Sequence, residues 1–208
     1  MSNWELEGLH VTEGGIVVPR AGVWVADVEA VTEAAPPSTV TLTVGAASWR
    51  GTVVRGGVTE GRWRGRVVGG AGGLGRAVVA RQYRSVPRRM VVAATLTEAG
   101  EALAAGASGL DDVLTTWARL AEPAARALGR LVASWRALPD GTITTDPWPA
   151  GEAPDAELIE PLPELLSDVL AVDGLDLAPG MTRGGRTVAS VAYSLRGPAM
   201  RAMVSYDA

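Results

Sequence analysis

The 208-residue sequence contains no cysteine, no lysine and no phenylalanine, and it has a single histidine, His10. Without cysteine the chain can form no disulfide, no thiolate zinc site and no cysteine nucleophile. With one histidine it cannot build a metal site that uses two. His10 itself lies in a strand-like segment among acids, which favours a surface position. We therefore expect no metal site and no cofactor.

Long apolar runs are also missing. No stretch approaches the roughly 20 apolar residues that a membrane-spanning helix needs, and no N-terminal segment has the basic and apolar pattern of a signal peptide. Hydrophobic residues nevertheless make up 47% of the chain and charged residues 20%, which is typical of a folded globular protein. We expect a protein made in the cytosol, or built into a particle there, with no membrane partner.

The first third of the chain has the pattern of an antiparallel sheet. Residues 24–30, 39–44 and 62–67 each alternate between apolar and polar side chains. A period of two with many β-branched residues is typical of half-buried strands. Gly-Gly and Pro-Pro pairs between these segments indicate turns.

The middle of the chain changes to a helical period. Ser85-Val86-Pro87 can open one helix, and a second can open near Pro123. Apolar residues then recur at helical spacing in both segments: Val92, Leu96, Ala99 and Leu103 in the first, and Ala124, Leu128, Leu131, Trp135 and Leu138 in the second. We predict two to four helices, mainly within residues 86–138.

The last part returns to strands. Residues 189–195 and 200–206 alternate on either side of Arg196-Gly197-Pro198, which predicts a hairpin. The predicted fold class is α+β, mainly β, with two antiparallel sheet or β-barrel-like modules joined by a helical segment. We expect a β-barrel-like module over residues 1–85, the helical segment over 86–138, and a β module with an acidic linker over 139–208.

One motif resembles a dinucleotide site. Residues 70–75 read Gly-Ala-Gly-Gly-Leu-Gly, which satisfies G-x-G-x-x-G. Such a loop must open a helix so that the pyrophosphate meets the helix N-terminus. Residues 76–83 have a strand pattern instead, and Glu98 lies inside the next predicted helix, so no suitably placed acid follows. We interpret this segment as a loop between strands.

Catalytic constellations are also absent from the sequence. No G-x-S-x-G nucleophile elbow is present. Asp173 and Asp176 form a possible carboxylate pair, but no aromatic-lined cleft is evident beside them and their spacing falls short of a calcium loop. We expect no catalytic residues and no enzymatic activity.

Charge is distributed unevenly although the net charge is only −4. Residues 50–89 contain ten arginines and one acid, whereas residues 140–176 contain ten acids and no base. Either the arginine-rich segment binds nucleic acid, or acidic and basic faces of neighbouring subunits pack together. We favour packing, because the basic segment is mostly strand-like and lacks the aromatic platform on which single-stranded nucleic acid stacks.

Arg62, Arg64 and Arg66 share one strand face, and like charges there repel one another unless acids or water offset them. We predict that these arginines lie at a subunit contact or line a channel, with a merely solvated face as the alternative. Asp173 and Asp176 are the candidate contacts in the acidic segment.

Several stretches together resemble the baseplate hub proteins of contractile-tailed phages and related contractile injection systems. They comprise residues 16–28, 49–58 with 66–74, 135–142, and 178–182 with 186–193. The likeness covers nearly the whole chain and consists of structural punctuation, not catalytic motifs.

The resemblance implies a structural subunit that joins the tail tube to the central spike. It implies two β-barrel-like modules in a trimer, with tube, spike and baseplate wedge proteins as partners and the virion tail as location. A nucleic-acid-binding β-barrel that uses residues 50–89 is the alternative.

Overall fold

The computed structural model describes residues 3–196 and 199–207. Six strands form the first module: β1 (Trp4–Leu6), β2 (Leu9–Pro19), β3 (Val25–Val31), β4 (Thr39–Val44), β5 (Ala47–Thr59) and β6 (Arg62–Gly69). They are antiparallel in the order β1-β4-β5-β6-β3-β2, and β1 also pairs with β2. The six strands therefore close into a barrel.

Tryptophan fills this barrel. Trp4 and Trp63 are completely or almost completely buried. A Cβ added to Gly65 would lie 2.1 Å from the Trp63 ring, and one added to Gly56 would lie 2.6 Å from it. The two glycines thus leave the space that the large ring occupies, since a packed interior has no room to spare.

The middle segment contains both α-helices of the described residues. Its elements are β7 (Ala77–Val78), β8 (Arg81–Pro87), α1 (Arg88–Ala99), β9 (Val113–Arg119), β10 (Glu122–Pro123), α2 (Ala124–Leu131), β11 (Arg136–Ala137) and β12 (Ile143–Thr144). The prediction of two to four helices within residues 86–138 is confirmed for the described part of the chain. The helices pack against each other and bury most of the predicted stripe residues, including Val92, Leu96 and Leu128.

Both helices are shorter than the sequence predicted. Gly100 follows α1 with a left-handed φ of 82°, so Leu103 lies beyond the helix. Helix α2 ends at Leu131, whose carbonyl accepts a hydrogen bond from Arg88, and Val132 is already extended. Trp135 and Leu138 are therefore not on the helix, although Trp135 is buried. An irregular chain can bury such residues as well as a helical stripe can.

The second sheet lies at the C-terminal end. It contains β13 (Leu158–Leu162), β14 (Ser167–Ala171), β15 (Thr182–Arg183), β16 (Arg186–Arg196) and β17 (Ala199–Tyr206), with a 3-10 turn at Pro163–Leu165. The predicted hairpin strands are present as β16 and β17, while its turn at Gly197-Pro198 falls outside the described residues. A bulge between Val188 and Ser190 turns Val188 inward, so Val188 is buried where Ala189 was predicted.

The two modules are also joined directly. Strand β16 pairs with β2 along Glu13–Pro19, so the C-terminal sheet continues the hydrogen-bonded order of the barrel through β16, β17, β14 and β13. The fold is α+β and mainly β, as the sequence predicted. No helix in residues 3–196 and 199–207 combines the length and apolarity needed to span a bilayer.

Candidate assembly surfaces

Arg62, Arg64 and Arg66 lie on the outer face of β6, and the acids that offset them come from β3. The pairing of β3 with β6 sets Asp27 opposite Arg66 and Glu29 opposite Arg64. Arg66 donates from Nε and Nη2 to the two Asp27 oxygens, at 2.8 and 2.6 Å. Glu29 accepts from both Arg62 and Arg64. This set of five residues is called the charge ladder below.

The arginines of the charge ladder lower the pKa values of its two carboxylates. The hydrogen bond from Arg66 holds the pKa of Asp27 below its ordinary value, and the hydrogen bonds from Arg62 and Arg64 do the same for the pKa of Glu29. The Glu29 carboxylate is largely covered, since its side chain is 8% exposed, whereas Arg64 is 76% exposed. A buried acid therefore holds two solvent-facing cations in place.

The basic segment as a whole is partly neutralised within the chain. Besides the ladder, Arg88 donates from Nε and Nη2 to Asp112, both at 2.7 Å. Paired arginines attract phosphate less strongly than unpaired ones, because the partner carboxylate cancels much of the field. The site of the alternative nucleic-acid interpretation is thus weaker than the count of arginines indicates.

The glycine-rich loop at residues 70–75 already holds an anion from its own chain. Glu101, which is 5% exposed, accepts hydrogen bonds from the backbone nitrogens of Ala71 at 2.8 Å and Gly73 at 2.7 Å. A Cβ on Gly73 would lie 1.7 Å from the carbonyl oxygen of Ala99. Strand β7, not a helix, follows the loop. These nitrogens bind the Glu101 carboxylate, which links the loop after β6 to the end of α1. They are therefore not free to hold a nucleotide phosphate.

Asp173 and Asp176 line one cleft in the C-terminal module. Asp155 and Glu157 lie on the same cleft, which has a volume of about 540 Å³, and all four acids are exposed. We call it the acidic cleft. In the described ranges no group of three or more His, Asp or Glu side chains is arranged to hold a metal ion. The cleft concentrates negative charge at the surface, which favours contact with a basic partner.

A two-stranded ribbon is the surface that sequence reasoning missed. Strands β8 and β9 pair only with each other among the described residues, so each has one open edge. Arg81 and Arg84 are exposed on the ribbon, and one side is anchored by the Tyr83 and Trp117 rings at 5.8 Å. The β-branched residues Val113, Thr115 and Thr116 are the signal for this strand in the sequence, but the segment lies between two stretches of helical period.

Exposed apolar side chains accompany the open edges. Val79, Met90, Val113 and Leu120 surround the ribbon and are each more than half exposed. The C-terminal sheet ends at β13, which pairs only with β14 in the described part of the chain, and Leu158, Ile159, Leu165 and Leu166 are exposed beside it. Open strand edges with apolar neighbours are typical of surfaces that bind other chains.

This chain matches known proteins in its fold and not in its sequence. Neither a protein-family model nor a curated protein matches the sequence. Among solved structures, the 43 kDa tail protein of prophage MuSo2 from Shewanella oneidensis superposes with a TM-score of 0.68 at 11% identity, covering 99% of this chain and 97% of that one. A tail protein from Neisseria meningitidis gives 0.64 at 10% identity, over 99% and 96%.

A component of the Escherichia coli type VI secretion system, described as structurally similar to T4 bacteriophage tail proteins, gives a TM-score of 0.67 at 10% identity over 99% of this chain and 77% of that one. At such identities the likeness establishes the fold. The structural neighbours of this chain are thus phage tail proteins and a tail-like secretion component, and the chain has their fold.

Proposed function

We propose that this chain is a structural, non-enzymatic hub subunit that links the tail tube to the central spike of a contractile-tail particle. The observation that carries the proposal is that the likeness to tail proteins extends over 99% of the chain, and so includes the barrel, the middle segment and the C-terminal sheet. The proposed location is the tail baseplate, assembled in the cytoplasm of the bacterial host. Tube, spike and baseplate wedge proteins are the proposed partners.

The open edges support an assembled state. The six-stranded barrel is closed, whereas among the described residues the β8–β9 ribbon and β13 each have an unpaired edge. Native proteins cover such edges or pair them with another chain. In a ring of copies, one edge of each subunit meets a different surface on the next, which is a heterologous contact.

Charge supports one arrangement of that ring. The ribbon carries Arg81 and Arg84, and the acidic cleft carries Asp155 and Glu157 among its exposed acids. We propose that the ribbon of one copy contacts the acidic cleft of the next. Three copies close the ring in this proposal, a number that rests on the resemblance to hub proteins alone.

Charge reversal tests this contact. The purified protein should form a trimer by native mass spectrometry, and R81E/R84E should dissociate it by placing acids against acids. Adding D155R/E157R to that variant should restore the trimer. The variant R196E/R201E reverses two exposed arginines of the C-terminal sheet and serves as the control for net charge.

A strictly monomeric protein would contradict the ring, and so would off-axis placement of the chain in an imaged particle. If R81E/R84E and the control variant assemble equally well, the ribbon is not the contact.

The contribution of the charge ladder to assembly is tested by a separate set of variants. The sequence predicts that R62S/R64S/R66S weakens assembly and leaves the monomer folded, but these changes would also remove both arginine partners of the largely buried Glu29 carboxylate. The combined variant with E29Q removes that buried charge as well, so assembly is measured without a buried carboxylate that lacks a cationic partner. Normal assembly of the combined variant would make the ladder solvated surface only.

A further inference from the structure

Arg136 is a buried arginine whose charge is left without hydrogen-bond partners. The residue is 8% exposed, and its Nε and Nη1 are buried with no hydrogen-bond acceptor in residues 3–196 and 199–207. Leaving buried donors of a charged group unpaired is costly, because the water they gave up is not replaced. The cost requires an explanation.

Another arginine shows how this chain treats a buried guanidinium that only supports the fold. Arg119 is 1% exposed and uses all three side-chain nitrogens. Its Nε donates to the Val79 carbonyl at 2.9 Å, its Nη1 to Thr95 Oγ1 at 3.1 Å, and its Nη2 to Glu98. Arg136 has no comparable set, so a purely structural role does not account for it.

Arg136 lines a cavity of about 150 Å³ between the barrel and the segment that follows α2. The cavity walls are mainly aromatic and proline side chains: Trp24, Trp49, Trp148, Pro19, Pro139 and Pro149. The Trp24 and Trp49 rings are 5.5 Å apart, and the guanidinium carbon lies 4.4 Å from the centre of the Trp148 ring. The stacking on Trp148 holds the guanidinium in place.

Hydrogen bonds between the two sides make the cavity a built feature. Gly22 N donates to the Trp135 carbonyl at 2.8 Å, and Arg50 N donates to the Pro139 carbonyl at 2.8 Å. Trp148 Nε1 donates to the Arg20 carbonyl at 2.9 Å. The walls are therefore fixed by the fold before any ligand arrives, which lowers the entropic cost of binding.

The local electrostatics favour an anion. Burial lowers the pKa of Arg136, and Asp146 is the acid whose charge opposes this. Both Asp146 oxygens, however, accept hydrogen bonds from Ser108 and Thr144. A negative group beside Arg136 would stabilise the buried positive charge directly, whereas Asp146 does so only through its charge, without an ion pair.

We propose that this cavity binds a carboxylate carried on a short apolar stem. Elsewhere in the chain, Arg66 and Arg88 hold the carboxylates of Asp27 and Asp112, whereas the guanidinium of Arg136, which lines the cavity, has no carboxylate partner among the described residues. The volume equals that of about five waters at ~30 Å³ each, which is small enough to exclude a bulky ligand. The apolar walls suit the stem. The inference does not depend on the proposed hub function.

Two sources supply such a group: a small organic acid, or an acidic side chain of another protein. Propionate tests the first. N-acetyl-aspartate N-methylamide, which carries its carboxylate as a chain would, tests the second. Propionamide has nearly the shape of propionate but no charge and serves as the matched control ligand.

Binding is measured by tryptophan fluorescence and by the ¹⁵N–¹H resonance of Arg136 Nε. We expect propionate to shift that resonance and to bind at least about tenfold more tightly than propionamide. Hydrogen bonds to charged groups raise affinity by a factor of roughly ten to a hundred. A response to the blocked aspartate as well would identify a protein side chain as the ligand, and a response to propionate alone would identify a free acid. Equal binding of acid and amide, or no binding of either acid, overturns the proposal.

Variants of two arginines test the proposed binding of the carboxylate independently. R136M keeps the length of the side chain and removes the guanidinium, and it should lose the propionate response. R126M changes an exposed arginine and should keep it. A response retained by R136M overturns the proposal. If R136M does not fold, the comparison of propionate with propionamide on the unmodified protein still decides.

Discussion

Glu101 joins two parts of the chain through a single carboxylate. Its oxygens accept hydrogen bonds from Ala71 and Gly73 of the loop that follows β6, while Glu101 itself follows α1. Backbone N–H groups in a glycine-rich loop form an anion site, and here the anion belongs to the protein. The same physics that makes such loops bind phosphate therefore stabilises this fold.

The change Glu101→Gln should lower the free energy of unfolding by about 1.5–3 kcal/mol, because an amide cannot accept two charge-assisted hydrogen bonds in this position. Urea denaturation measures the loss. Glu33→Gln, at an exposed position, should change stability by less than about 0.5 kcal/mol. Equal effects of the two changes would mean that the loop does not depend on its carboxylate.

Several carboxylates make stability depend on pH. Hydrogen bonds lower the pKa of Asp27, Glu29, Glu98, Asp112, Asp140 and Asp146 below their ordinary values. Their stabilising contribution is fully present above the pKa of the unfolded chain, near 3.8 for Asp and 4.5 for Glu, and it is lost as the pH falls through the folded pKa.

We therefore expect the urea midpoint to be flat near neutral pH and to fall below about pH 5. D27N should reduce that slope, since it removes one of the titrating groups. A midpoint that rises on acidification would contradict this assignment of signs.

At the level of elements, the barrel strands depend on glycines at positions where a larger side chain would normally strengthen a strand. Gly65 and Gly56 face Trp63, and their missing Cβ atoms provide the space for its ring. β-propensity alone would disfavour both positions. The packing of one large aromatic residue outweighs that local preference.

Gly65→Ala should destabilise the protein by about 1–3 kcal/mol, because the new methyl group would force the Trp63 ring or the neighbouring strand to move. Gly57→Ala is the matched control, as no atom lies within 4 Å of the Cβ it would add. Thermal unfolding followed by circular dichroism compares the two. A Gly65→Ala protein as stable as the control would show that the barrel core is loosely packed.

At the level of the whole molecule, the pairing of β2 with β16 makes the barrel and the C-terminal sheet share one strand ladder. A shared ladder couples the two modules, since neither can unfold without exposing backbone of the other. Two independent domains joined by a linker would not have this coupling.

We expect one cooperative unfolding transition. All seven tryptophans precede β13, so tryptophan fluorescence reports the barrel and the middle segment. Hydrogen exchange of peptides from β17 reports the C-terminal sheet. The two probes should give the same midpoint in urea. A β17 transition well below the fluorescence midpoint would show that the modules unfold separately.

The amino-acid sequence by itself determined the alternation of strands, the two helical segments and the mainly β class, because those depend on local periodicity. The buried faces of β4 and β17 follow the predicted alternation residue by residue, whereas β3 departs from it at Glu29, which is buried although it lies on the polar face. The strand arginines were also evident as a like-charged set that required compensation.

Tertiary structure alone decided which residues meet. Asp27 and Glu29 offset the arginines because β3 pairs with β6, and Glu101 fills the glycine loop across 28 and 30 residues of chain. The ends of α1 and α2, the β8–β9 ribbon and the cavity at Arg136 likewise depend on contacts between distant segments. Local patterns record how a segment buries its own side chains, whereas pairing partners and cavities are set by the packing of the whole chain.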